Sequence, residues 1–361
     1  MKSFSELYNS RLASNAVFSY RQDERIFRTR FKRMSLAGFF VLVALSPLVL
    51  NAGHYFIVNL VLAYLIAALG LNLLMGITGL LSLGHAAFVG VGAYTSALLV
   101  TKLGFPLALA IPCAGLTAAA AGVIVGIPSL RIKGFYLMVA TLAFQFVIDY
   151  LIVHWEGLTR GIRGIELPTP VFLGIPLASQ TRFFFFLFLV AALMIWGARN
   201  LLRSKIGRAF VAIRDNDVSA EIIGIPVFRY KLLSFAIASF YAGVAGAIFS
   251  AMQRAAMPQD YSLMHSVMFL AMVLVGGAGS VLGTIFGVGF VALVPFVLDF
   301  IVSWLALVYD PNVTIYLGPV KDLTFGLLIV LFIIFEPVGL VGVWIRFREY
   351  FRIWPLPYIS E

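Results

Sequence analysis

The stretch RSKIGRAFVAIRDNDVSAEIIGIPVFRYK, residues 203–231, carries nine charged side chains in the middle of a chain that otherwise avoids charge. The roughly twenty residues on either side of it hold almost none. Of 361 residues only 12% are charged and 61% are hydrophobic, and the mean hydropathy is +1.00. A soluble domain carries about 25% charged residues, so this composition excludes a soluble globule. An apolar run of about 20 residues crosses a bilayer as a helix, because in hydrocarbon only intrahelical hydrogen bonds satisfy the backbone. The charged island therefore reads as a loop between membrane spans, and the fold class as all-α and polytopic.

Apolar runs at 34–50, 55–75, 80–101, 105–127, 134–153, 183–202, 232–252, 263–276, 280–304 and 323–343 predict about ten spans. The first is short and the glycine-rich region 267–298 divides in more than one way, so eight to eleven spans fit the same residues. Basic residues near span ends set orientation. Lys2, Arg11, Arg21, Arg25, Arg28, Arg30, Lys32 and Arg33 precede the first span and predict a cytoplasmic N-terminal segment over residues 1–33. Alternation then places Arg131 and Lys133, the island, and Arg346, Arg348 and Arg352 on the same side. The expected organisation is a permease-like membrane domain over 34–343 with a cytoplasmic loop at 203–231 and a cytoplasmic tail at 344–361, both termini inside. The net charge of +10 is explained by this inside bias. The basic residues form no continuous soluble domain, which argues against nucleic-acid binding.

Signatures of enzyme chemistry are lacking. His54, His85, His154 and His265 are isolated and show no paired metal-ligand spacing. A nucleophile elbow, a zincin pair and a phosphate-binding G-x-x-x-x-G-K-[ST] are all missing. GGAGSVLG at 276–283 fails the dinucleotide spacing and reads as a tight turn between two helices. Cys113 alone permits no disulfide within the chain. Carboxylates inside spans mark ion or proton paths, but Asp149, Asp299 and Glu336 each fall close to a predicted span end, where they reach the interface.

Two features carry more information. In NLLMGITGLLSLGHAAFVGVGAYTSALL, residues 72–99, Gly76, Gly79, Gly84, Gly90 and Gly92 interrupt an apolar run. The glycines fit close helix packing, and they equally fit a broken helix lining a polar path. In the island, Phe210 and Ile213 share one helical face, Asn216 or Asp217 can cap a second helix over about 218–223, and Gly224 and Pro226 end it. So short a helix needs a partner or a membrane surface to hold it. A plain solvated loop and a docking surface for a soluble motor are both compatible with the charge pattern.

The motifs GITGLLSLGHAAFVGVGAYTSALL and IGRAFVAIRDNDVSAEIIGIPVFRYKLLSFAIASFYAGVAGAI, followed by GGAGSVLGTIFG and DLTFGLLIVLFIIFEPVGLVG, resemble the branched-chain amino acid ABC transporter permeases of the LivM type, over residues 60–344. The resemblance implies an importer for branched-chain amino acids or a related small polar solute in the bacterial inner membrane. Its expected partners are a LivH-like permease, two cytosolic ABC ATPases, a periplasmic substrate-binding protein and membrane lipid. ATP and Mg would be bound by the partner ATPases, with no cofactor in this chain and no enzyme activity of its own.

The same resemblance places a degenerate ATPase-coupling pattern at Ser219, Ala220 and Gly224, with Val218 standing where the general pattern has glutamate, and Arg208, Arg214, Asp215 and Glu221 flanking it. Gly84, His85 and Tyr94 are candidates for the substrate pathway from motif position and the broken-helix reading. Where the family often has a TGGSDGI-like outer stretch, this chain has LTRGIRGI at 158–165, with Arg160 and Arg163 at positions usually neutral or acidic. Both are candidates for selectivity or docking on the outer face. The competing function is a self-sufficient secondary transporter or channel, which needs no motor-docking loop.

Overall fold

The computed structural model describes residues 51–130, 134–172, 174–308, 323–327, 329–332, 334–336 and 338–353. The expected span at 34–50, the basic segment at 1–33, and Arg131 and Lys133 lie outside the described residues.

The long helices are α1 (Ala52–Leu71), α2 (His85–Leu103), α3 (Leu107–Ser129), α4 (Phe135–His154), α5 (Gln180–Arg203), α8 (Val227–Gln253) and α10 (Val281–Val308). Two short helices, α6 (Lys205–Asp215) and α7 (Asp217–Ile222), form the island; α9 is Leu263–Gly276 and α11 is Leu340–Ile353. Among the described residues seven helices are long and apolar enough to cross a membrane: Gly53–Ile77, His85–Leu103, Leu107–Ser129, Phe135–His154, Gln180–Arg203, Val227–Gln253 and Val281–Ile301.

The expected count of about ten is approximate, and three segments differ from expectation. The run at 80–101 becomes helical only at His85, because 78–84 is irregular backbone. At 1.5 Å rise per residue, the 14 residues of α9 fall short of a hydrocarbon layer about 30 Å thick. The run at 323–343 is helical over Leu323–Phe332 and is broken around Gly339, whose φ is +76°. α11 then runs unbroken through the tail boundary placed between 343 and 344.

The buried centre is α8. From Ala238 to Met252 its small side chains are enclosed on every face except at Phe240, and α1, α2 and α3 pack around it. Small residues are what allow several helices to reach one backbone in lipid. A Cβ at Gly92 would overlap the backbone of Gly243, and one at Gly246 would overlap the Val89 carbonyl. The glycines of α2 are thus packing residues, as the first reading of that stretch holds. α5 packs on α1 through Tyr55 and Phe184, whose rings lie 5.1 Å apart, and through the Asn59 amide, which donates to Gln180 Oε1 at 3.1 Å.

The two ends of the bundle differ. One carries α6 and α7. The opposite end carries the α4–α5 connection, where β1 (Ile165–Glu166) pairs antiparallel with Ala255–Ala256 just beyond α8.

Candidate functional site: the island, the helix break and their junction

Local capping builds the island. Ser204 Oγ accepts from the backbone N–H groups of Ile206 and Gly207 at 3.2 and 3.4 Å and starts α6. Ala209, Phe210 and Ile213 are buried on its inner face while Arg208, Arg214 and Asp215 are exposed. Asn216, rather than Asp217, caps α7: its Oδ1 accepts from the Ser219 N–H at 2.9 Å. α7 ends in paired reverse hydrogen bonds, Gly224 N–H to Glu221 O and Ile225 N–H to Ala220 O, both 3.0 Å, which require the positive φ of +88° at Gly224.

Ala220 is the buried residue of α7, and an ion pair of Lys231 Nζ with Asp217 Oδ2 at 3.2 Å ties the helix to α8. Ser219, Glu221 and Gly224 face outward. So do three apolar side chains, Val218 at 56% exposure, Ile222 at 80% and Ile223 at 74%. Their exposure is not visible in the charge pattern; the signal in the sequence is apolar residues placed where a solvated helix would carry polar ones.

Arg214 joins the island to the membrane helices. Its Nη1 donates to the carbonyl of Gly76 at 3.1 Å, and its Nε and Nη2 hold Asp215 Oδ1 at 3.3 and 3.1 Å. Gly76 lies in a single π-helical turn, Asn72–Ile77, that ends α1. Asn72 in that turn accepts from the Gly279 N–H at 2.7 Å and donates to the Ser280 carbonyl at 3.2 Å. The glycine-rich segment at 276–283 is thus the expected tight turn, between α9 and α10, with Gly277 and Gly279 at φ +108° and +88°. A cleft of about 430 Å³ opens between Thr78–Leu81, Leu137, Arg214–Val218 and Lys231. Arg208 makes no such link; its guanidinium returns to the Arg203 carbonyl at 3.0 Å.

The second half of the break starts α2 inside the protein. Gly84 is its N-cap and supplies no side chain, so neighbouring helices satisfy the free N–H groups. Leu83 N–H donates to Thr141 Oγ1 at 3.0 Å, Ala86 N–H to Ser266 Oγ at 2.8 Å and Ala87 N–H to Gln145 Oε1 at 2.8 Å. Gln145 Nε2 also donates to Asp149 Oδ1 at 2.9 Å and to the Tyr261 carbonyl at 2.8 Å. The helix is therefore broken, and its break is packed in protein.

His85 is fully buried, with Nε2 against the Ala67 carbonyl at 2.8 Å and Nδ1 unpartnered. Tyr94, two turns on, is buried with an unpartnered hydroxyl. Of the in-span carboxylates, Glu336 pairs with Arg346 and Asp299 is exposed.

Arg160 and Arg163 are exposed at the end opposite the island. Arg160 holds φ +61° and closes the single turn Glu156–Thr159, a left-handed position that suits glycine.

Residues 54–334 match the family described as branched-chain amino acid transport system / permease component. The chain belongs to that family. It is 34% identical over 273 residues to the high-affinity branched-chain amino acid transport system permease protein LivM of Salmonella typhimurium, and equally to that of Escherichia coli. Each match covers 69% of this chain and 64% of the relative, so the chain spans under two thirds of the length of these relatives. The autoinducer 2 import system permease protein LsrC of an Enterobacter strain is 30% identical over 279 residues, 73% of this chain and 76% of that one. No solved structure matches the chain.

Proposed function

We propose that this chain is a permease subunit of an ATP-driven ABC importer in the bacterial inner membrane, with both termini cytoplasmic. In this assignment it forms the translocation pathway with a LivH-like permease. α6 and α7 meet one of two cytosolic ATPases, which bind ATP and Mg, and a periplasmic substrate-binding protein delivers the solute to the opposite end. Branched-chain amino acids or a related small polar solute are the cargo class. One relative is described as importing autoinducer 2, so family membership alone leaves the cargo open.

The observation that carries the assignment is the construction of the island. α7 is too short to persist alone, yet it is capped at both ends, ion-paired to α8, and presents Val218, Ile222 and Ile223 outward among Glu221, Arg208 and Asp215. Exposed apolar residues on a rigid polar projection suit a partner protein. Through Arg214 and Asn72 a push on the island reaches the ends of α1, α9 and α10 together, which suits alternating access. A secondary transporter would have no use for such a surface.

The test is co-isolation. In mild detergent the chain should bring two ATPases with it, and Ile222→Asp combined with Ile223→Asp should abolish that co-isolation while the chain still folds, both side chains being more than 70% exposed. Solute transport by the chain alone in liposomes would sink the assignment. Arg160 and Arg163 belong, on this proposal, to the surface that meets the binding protein. Arg160→Ser with Arg163→Ser should lower uptake of neutral and anionic solutes alike; a change confined to anions would make them selectivity residues instead.

A further inference from the structure

At the end of the bundle opposite the island, the short helix Pro258–Tyr261 places Asp260 over the gap between α1, α2, α8 and α9. Among the described residues its carboxylate has neither a cation nor a hydrogen-bond donor bound to it, whereas Asp215, Asp217 and Glu336 are each paired. Burial pushes its carboxyl above the usual carboxylate range. The groups around it are aromatic. Tyr64, Phe249, Phe269 and His265 line the gap with it.

Tyr64 stacks on Phe249 at 5.9 Å and meets Phe269 edge-on at 5.7 Å, while Tyr261 contacts Tyr94 at 6.1 Å and Phe249 at 6.3 Å. The hydroxyls of Tyr94 and Tyr261 are buried and have no partner. Buried polar atoms are normally satisfied, and each exception calls for an explanation. Asp260, Tyr64, Phe249, Phe269 and His265 line a small pocket of about 10 Å³, roughly the space one water-sized group occupies.

A carboxylate without a counter-ion, sharing a pocket with the rings of Tyr64, Phe249 and Phe269, is the chemistry that receives a cation. Aromatic faces attract cations through the ring quadrupole, and an ammonium adds donors for the carboxylate and hydroxyl oxygens. We propose that Asp260, with Tyr64, Phe249 and Phe269 beside it, forms a binding site for a primary ammonium group, such as the α-amino group of an amino acid entering from that end. As a station on a transport path it rests on the importer assignment; as an ammonium site it does not. The pocket admits the ammonium head, and the rest of the solute stays on the open side where Asp260 is half-buried.

The full chain, purified in mild detergent at neutral pH, is titrated with isoamylamine, leucine and isocaproate, and binding is read by saturation-transfer NMR. Isoamylamine and leucine should bind and isocaproate should not. Asp260→Asn should weaken amine binding about tenfold or more, the size expected for losing a charged hydrogen-bond partner. Gly289→Ala, where a Cβ meets nothing within 4 Å, should leave it unchanged. Binding of isocaproate as tight as that of isoamylamine, or an unaltered amine affinity in Asp260→Asn, overturns the proposal. Should Asp260→Asn fail to fold, the preference of the unaltered chain for amine over carboxylate decides. Amine selectivity without co-isolated ATPases sinks only the importer assignment, and co-isolated ATPases without amine selectivity sink only the site.

Discussion

Gly224 holds φ at +88° with open space where a Cβ would stand, so its role at residue scale is conformational. Forcing an L side chain into the left-handed region costs about 1 kcal/mol. Gly224→Ala and Gly224→Leu should therefore lower the stability of the isolated chain equally, read as equal shifts in thermal unfolding midpoint. Uptake should separate them: loss with Leu but not with Ala places a partner surface against this position. Because the space around this position is open in the isolated chain, only an assembled complex can test whether bulk here abolishes coupling. Arg160 is the converse case, an arginine at φ +61°, and Arg160→Gly should stabilise the chain by about 0.5 kcal/mol, measured by the same unfolding assay. Asp260 is not among the carboxylates within spans because it lies in the connection between two apolar runs; only folding brings it to the aromatic side chains of α1, α8 and α9.

At the scale of elements, the start of α2 depends on side chains distant in sequence. Gln145→Ala removes the acceptor of the Ala87 N–H and a donor to the Tyr261 carbonyl, leaving buried polar groups unmatched at about 1–3 kcal/mol each. A loss of about 3 kcal/mol is expected, visible as reduced yield of folded protein and a lowered unfolding midpoint. Ser266→Ala should cost less, since the Ala86 N–H is then the main group left without an acceptor. The crossing of α2 and α8 is stricter. Gly246→Val would drive a side chain into the Val89 backbone and should prevent folding. Gly289→Ala, where a Cβ meets nothing within 4 Å, should be tolerated, and monodispersity of the purified proteins in detergent distinguishes the two. The helical periodicity, the caps of α7 and the turn at 276–283 were legible in the sequence because caps and turns are local chemistry. The break at 78–84 was legible only as a choice between two readings, since whether exposed N–H groups survive depends on which side chains of α4 and α9 lie opposite.

At the scale of the whole molecule, Arg214 and Asn72 bind three elements into one junction, the island, the end of α1 and the α9–α10 turn. If the junction transmits motion, Arg214→Ala should leave ATPases bound, because the exposed face of α7 is untouched, yet reduce solute uptake severalfold relative to ATP hydrolysis in the reconstituted complex. Unchanged coupling in that variant would confine Arg214 to a structural role. Composition alone determined that this chain is a polytopic helical membrane protein: so little charge and so many long apolar runs can satisfy their backbones only as helices in lipid. Sequence also determined the location of the charged island, since charge is costly within the spans on either side of it. Only the tertiary structure decided which glycines are contacts, that Arg214 rather than Arg208 reaches the membrane helices, and that Asp260 stands unpaired among tyrosines. Each of those depends on groups tens to hundreds of residues apart meeting within a few ångströms, and hydrophobic patterning sets which face of a helix is buried without setting what it is buried against.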